Sequence, residues 1–211
     1  MNVLSLFATP LIVSNYECDE QTYNFLDSAG MTSDWSASYG NKSVNTYILD
    51  ELICINLSKH ILQTAKTVMT EMLGFDIEDV QFTQSWISHK NPGEHHTKHS
   101  HANSIISGVY YFQNDIESLP PITFHNSRSV NGTYEINLPY QEITADKPFS
   151  WSTYTYTPIK NDLVMFPSHL NHSVGTNTSS KIRKSLAFNV IPTKLFGKKE
   201  SLTLLDFQRL K

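Results

Sequence analysis

Residues 94–112 read EHHTKHSHANSIISGVYYF, so four of the chain's nine histidines fall within seven residues. His89 lies just upstream. His99 and His101 are two positions apart at the entrance to an apolar run. On a strand, side chains at i and i+2 share a face, so both imidazoles can converge on one ion while the apolar run anchors them. The stretch MFPSHLNH, residues 165–172, follows a second apolar strand and ends in His172, a third nitrogen donor. Three neutral imidazoles leave half the positions of an octahedral ion open to reactants, the arrangement of a catalytic metal centre. His95, His96 and His169 fall in expected loops, where they line a pocket mouth rather than ligate. His60 and His125 read as structural or exposed.

Two metal-site patterns compete for this spacing. Gly93 to His101 satisfies the first half of the cupin motif, a Gly followed by H-x-H, but Ile105 and Ile106 stand where that motif needs a Glu. The second pattern runs H-x-D/E, a strand, then a distal His followed by an Arg and a small hydroxyl residue. Here His172 is followed by Arg183 and then Ser185. That order resembles the Fe(II)/2-oxoglutarate-dependent oxygenase superfamily, and more narrowly a small family of 2-oxoglutarate–Fe(II) oxygenases of bacteria and marine phages. The resemblance is carried by LFATPLIV near the start, SWISHKNPGEHHTKHSHANSIISGVYYF, PITFHNSR, YTPIKNDLVMFPSHLNHSVGTN and RKSLAFNV. These pieces span most of the chain, with the best-matched blocks between Ser85 and Val190.

The resemblance implies a mainly β fold with helices packed on one sheet: a double-stranded β-helix, or cupin-like jelly roll. It implies Fe(II) held by His99, His101 and His172 as the catalytic centre, with His101 where the superfamily usually has a carboxylate. It implies 2-oxoglutarate and O2 as cosubstrates, and hydroxylation of a further substrate that the sequence does not name. Arg183 is then the counter-ion of the distal carboxylate, since a planar guanidinium grips a carboxylate through two parallel hydrogen bonds. Ser185 adds a hydroxyl from the same strand face, and Tyr111 a phenol. A carboxylate ligand would lower the ion's charge by one unit. Three imidazoles leave it fully divalent, which favours a dianionic cosubstrate and leaves open whether iron or another divalent metal binds. Two other readings compete: a three-histidine cupin-like metalloenzyme that does not use 2-oxoglutarate, and a non-catalytic β-sandwich binding module. Arg183 argues against the first, because an inward Arg beside a metal has no partner without an organic acid.

The elements that must position these residues follow from periodicity. A short helix is expected over 19–28. From residue 47 to 72, Leu49, Leu52, Ile53, Leu57, Ile61, Ala65, Val68 and Met72 form one apolar stripe of a long helix, with Gly74 as its stop. Beyond it, short runs rich in β-branched and aromatic residues predict strands at 80–88, 104–113, 122–125, 133–136, 151–157, 163–166, 173–175 and 184–191. The alternation in WSTYTYT, residues 151–157, predicts a strand with one buried face. The opening MNVLSLFATPLIV reads as a first strand pair. One domain is expected over 1–211, with a helical part over about 15–75 and a jelly-roll core over about 78–192. Arg128, Tyr134 and Tyr140 fall in a loop, 126–149, expected to be a substrate-facing lid.

Composition narrows the class. Hydrophobic residues at 39%, aromatic at 11% and charged at 17% suit a globule rather than a disordered chain. A net charge of -4 gives no reason to attract nucleic acid or an anionic membrane. The basic KLFGKKE at 194–200 reads as a solvated tail. Cys18 and Cys54 read as free thiols in a reducing compartment. No leader or membrane span is evident, so a soluble cytoplasmic protein is expected, in the host cell if phage-encoded. Homodimerisation is left open.

Overall fold

The computed structural model describes residues 8–32, 41–113, 119–126 and 152–206. The strand expected at 133–136, Trp151, and the lid with Arg128, Tyr134 and Tyr140 lie outside the described residues.

Two antiparallel sheets carry the fold. The larger has the order β1-β8-β5-β10-β3-β2, from β1 (Ile12–Asn15), β2 (Asn41–Lys42), β3 (Val80–Lys90), β5 (Ile106–Tyr110), β8 (Asp162–Pro167) and β10 (Arg183–Pro192). The smaller has the order β4-β9-β6-β7, from β4 (His96–His99), β6 (Ile122–His125), β7 (Thr153–Tyr156) and β9 (His172–Val174). This is the expected jelly roll.

Alternation along the central strands explains why both faces of the large sheet are apolar. Outward-facing Tyr110, Met165, Leu186 and Phe188 join one cluster with Leu26 of α1 (Glu20–Asp27) and with Leu57, Ile61 and Ala65 of α2 (Ile55–Thr67). Inward-facing Val164, Phe166 and Tyr111 meet Ile122 and Phe124 of β6 in a second cluster, between the two sheets. Strand β8 belongs to both and is buried along its whole length. Each fully buried Leu, Ile or Phe contributes roughly 1.5–3 kcal/mol, so these two clusters are the main source of stability.

Local chemistry fixes the remaining elements. Asp19 caps α1 by accepting from Thr22 N at 2.8 Å. Lys184 on the outer face of β10 reaches Asp27 Oδ1 at 2.7 Å and ties α1 to the sheet. Gly108, midway along β5, leaves room for its neighbours: a Cβ there would fall on the Phe188 ring and 2.8 Å from the Val164 carbonyl oxygen.

Three expectations need correction. The stripe from 47 to 72 is not one helix: two 3₁₀ turns, Ile48–Asp50 and Leu52–Cys54, precede α2, and a π turn, Val68–Met72, follows it. Leu49 is buried but Leu52 is 87% exposed, because the 3₁₀ turns rotate it off the core face. Among the described residues, strand β7 is the edge of the small sheet, and Tyr154 is exposed rather than packed inward. The basic segment at 194–200 contributes β11 (Leu195–Phe196), paired with β12 (Leu205–Asp206) in a separate ribbon. Among the described residues, no helix is long and apolar enough to cross a membrane.

Candidate active site

The histidines are gathered by the small sheet. Strands β4 and β9 pair so that His99 lies directly opposite His172, with ring centroids 4.2 Å apart. His101 lies beyond the end of β4, in the connector to β5. Its N–H donates to the Ser168 carbonyl at 2.9 Å, and its ring sits 5.1 Å from both other rings. One nitrogen from each of the three lies within 4.8 Å of the others. The route to this geometry differs from the expected one. His99 and His101 do not share a strand at the entrance to β5. They straddle the exit of β4, and the main-chain bond to Ser168 turns the second imidazole back toward the first.

A buried polar cluster holds that turn. Ser168 Oγ lies 2.8 Å from the hydroxyls of Ser104 and Ser107, and Ser107 donates to Asn189 Oδ1 at 2.7 Å. The bond therefore runs from His101 into the large sheet through β5 and β10.

Two of the rings have a settled tautomer. His99 Nδ1 lies 2.8 Å from the Thr97 carbonyl and His172 Nδ1 3.0 Å from the Leu170 carbonyl. A carbonyl can only accept, so each Nδ1 carries the proton and each Nε2 offers a lone pair. Burial keeps all three rings neutral at pH 7. It lowers His99 below its ordinary range, takes His101 to about 4 with help from His99, and takes His172 to about 3. Neutral, convergent nitrogens are the protonation state a metal requires.

The opposite wall of the recess comes from the large sheet. Arg183 and Ser185 of β10 line it, with Val109, Ile122 and Phe166 as apolar neighbours. Arg183 is only 2% exposed, and among the described residues no carboxylate pairs with it. Its Cζ lies 5.4 Å from the centre of the Tyr111 ring, which is fully buried just past the end of β5. Arg183 Nε and the Tyr111 hydroxyl are both buried without a hydrogen bond of normal geometry. Burial lowers the guanidinium and raises the phenol from their ordinary values. A buried cation with an unmatched donor is costly unless a ligand completes it, and a carboxylate has the complementary charge and geometry.

The other histidines separate cleanly. His96 is on β4 rather than in a loop; it stacks on His99 at 4.2 Å and 17° and lines the recess. His95 and His169 are exposed. His125 lies 2.9 Å from Ser173 Oγ, and His60 stacks on Tyr16 at 4.3 Å. His89 is opposite Lys184, on the face of β3 that points away from the recess.

Pattern reading missed part of β3. The register sets Trp86 opposite Ala187, Ser88 opposite Ser185 and Lys90 opposite Arg183, so these three share the inner face with the arginine. Trp86 and Ser88 line the recess. The signal was present in SWISHK as alternate positions, but it has meaning only once β3 is known to be the neighbour of β10.

A family described as "Putative 2OG-Fe(II) oxygenase" matches residues 84–189, half of the chain. No curated protein matches. Several solved structures share the fold. A prolyl-4-hydroxylase from Pseudomonas putida is 12% identical, with 85% of this chain and 91% of that chain covered and a TM-score of 0.55. A prolyl hydroxylase from Trichoplax adhaerens, in complex with a hypoxia inducible factor peptide fragment, is 12% identical over 86% of this chain and 83% of that one, with a TM-score of 0.54. The epimerase SnoN from nogalamycin biosynthesis, in complex with Fe3+, α-ketoglutarate and nogalamycin RO, is 12% identical over 87% and 79%, with a TM-score of 0.57. At such identities these likenesses establish the fold. The family match does more, because it runs from within β3 to within β10 and takes in the three histidines, Arg183 and Ser185; on that match, the chain belongs to the "Putative 2OG-Fe(II) oxygenase" family.

Proposed function

We propose that the chain is an Fe(II)- and 2-oxoglutarate-dependent dioxygenase that hydroxylates a further substrate, and that residues 1–211 form one such domain. The observation that carries this reading is a juxtaposition. Two neutral imidazoles on the small sheet and a third just beyond the end of β4 face, across one recess, a buried guanidinium on the large sheet that pairs with no carboxylate among the described residues.

His99, His101 and His172 would hold the metal, and an all-nitrogen donor set of borderline softness suits Fe(II). Arg183 would grip the distal carboxylate of 2-oxoglutarate, with Ser185 as a second donor on the same face of β10. When bound, Fe(II) and 2-oxoglutarate supply the oxidative decarboxylation that reduces O2, yielding succinate and carbon dioxide together with the oxidised substrate. The protein's own work is positioning. The carbonyls of Thr97 and Leu170 orient two of the ligand rings, the Ser168 carbonyl holds the main chain of the third, and Tyr111 supports the guanidinium from one side. Val109, Ile122 and Phe166 keep the recess poor in water, which strengthens the charge pairing and protects the oxidant from side reactions. The Fe3+ and α-ketoglutarate in the complex of the fold neighbour SnoN support this cofactor pair.

The competing readings account for less. A three-histidine enzyme without 2-oxoglutarate leaves Arg183 buried for no purpose. A binding module leaves three oriented, neutral imidazoles unexplained. Anaerobic titration of the purified protein with Fe(II) and then 2-oxoglutarate decides the matter. The expected result is saturable binding of both, with a visible metal-to-ligand charge-transfer band at one equivalent. Tight metal binding with no band and no heat on adding 2-oxoglutarate would sink the proposal and favour the cupin-like reading.

A further inference from the structure

One turn aims two of the three histidines. Residues 168–171 join β8 to β9, and Leu170 N closes the turn on the Pro167 carbonyl at 2.9 Å. Within it, the Ser168 carbonyl accepts from His101 N at 2.9 Å, and the Leu170 carbonyl accepts from His172 Nδ1 at 3.0 Å. His101 arrives from the β4–β5 connector and His172 opens β9, so two separate segments take their aim from one place. A shift of the turn moves both imidazoles together.

Ser168 holds that turn, and each of its polar groups is engaged. Its N donates to the Ile105 carbonyl at 2.9 Å, its carbonyl holds His101, and its Oγ lies 2.8 Å from the hydroxyls of Ser104 and Ser107. Ser107 also reaches Asn189 Oδ1 at 2.7 Å, and Ile105 N donates to the Val190 carbonyl at 2.9 Å. The start of the turn is thereby fastened to β5 and β10 of the large sheet. Its far end is fastened to the small sheet, where the Asn171 carbonyl accepts from His125 N at 2.8 Å. Ser107, Ser168 and Asn189 are buried, and none of them lines the recess. A satisfied polar network in a core specifies one arrangement, because its hydrogen bonds are directional where apolar contacts are not.

We infer that Ser168 is a positioning residue for the metal centre. Through Ser107 and Asn189 its hydroxyl registers the turn against the large sheet, and so sets the aim of His101 and His172 as a pair. The inference rests on the metal centre of the oxygenase reading and is independent of 2-oxoglutarate.

The test titrates the full-length protein with Co(II), whose d–d absorption reports the geometry of its ligands. Affinity is read by competition with a chelator and stability by the urea midpoint. Ser168→Ala should weaken Co(II) about ten- to a hundredfold and alter its absorption spectrum, as loss of a group supporting a ligand does. Ser107→Ala should act in the same direction, and the double variant should lose no more than Ser168→Ala alone, since both act through one contact. The comparator is Ser85→Ala. Ser85 is fully buried on β3, and its Oγ accepts from Leu49 N at 2.9 Å, away from the recess. That variant should lower the urea midpoint but leave Co(II) affinity and spectrum unchanged. Wild-type affinity and spectrum in Ser168→Ala, or equal losses in Ser168→Ala and Ser85→Ala, overturn the inference. If Ser168→Ala does not fold, Ser107→Ala against Ser85→Ala decides alone. A wild-type protein that binds Co(II) but not 2-oxoglutarate sinks the oxygenase reading and leaves this inference standing. One that binds no Co(II) sinks both.

Discussion

Four imidazoles share the recess, but three of them have nitrogens close enough to hold one ion. His96 stacks face to face on His99, which supports that ring without placing His96 in the ligating group. Removing His101 takes away one of the three proposed protein ligands, so His101→Ala should lose metal on dialysis. His101→Asp should retain it, because a carboxylate is also a ligand for this class of ion. His96→Ala should hold metal far better than His101→Ala. Metal content of the three variants after dialysis is the check, and loss in His96→Ala with retention in His101→Ala would exchange the two assignments. Arg183 makes an independent case. It is buried and has Tyr111 as its ring neighbour, so Arg183→Ala should weaken 2-oxoglutarate by about 3–5 kcal/mol, a hundredfold or more, with metal affinity nearly intact. Calorimetry on the metal-loaded variant measures it.

At the level of elements, Gly108 and β3 can be tested separately from the chemistry. A methyl group at Gly108 collides with both neighbouring strands at the centre of the large sheet. Gly108→Ala should therefore destabilise by about 1–3 kcal/mol, read as a lower urea midpoint. The outward face of β3 carries His89, which burial takes down to about 4; Lys184 and Lys90 add to the shift and Asp27 opposes it. Unfolded, a histidine titrates near 6.5. Between those values the unfolded chain binds a proton that the folded chain does not, so stability is full above about pH 6.5 and falls toward pH 4. His89→Gln should flatten that decline, and urea midpoints between pH 7 and 4 for both proteins test it. The strands β3, β5, β6, β8 and β10 were legible because they bury β-branched and aromatic side chains in a core. Strand β4 was not, since HTKH serves the recess and shows no apolar alternation. The segment before α2 misled for the opposite reason: its leucines keep helical spacing while the backbone tightens into 3₁₀ turns. Lys90 was invisible because nothing in a lysine's identity announces complete burial.

Across the whole molecule, the proposed ligands bridge two sheets. The metal would sit on β4 and β9 of the small sheet, and the distal carboxylate on β10 of the large one. Ligands that bind only the folded chain stabilise it by mass action, by about 2.7 kcal/mol at a hundred times the dissociation constant. Metal alone should raise the melting temperature, and 2-oxoglutarate should add a further increment of roughly 5–10 °C at that concentration. In Arg183→Ala the first increment should survive and the second should vanish; differential scanning fluorimetry under anaerobic conditions reads both. The carbonyls that orient His99 and His172 have a further consequence. Each belongs to the residue two positions earlier in the chain, so the hydrogen bond that aims each ring comes from the backbone and does not depend on which side chain stands at 97 or 170. On the proposed function, the walls of the recess can therefore mutate toward new substrates while these two proposed ligands keep their backbone hydrogen bonds, which makes chemistry and specificity separately evolvable.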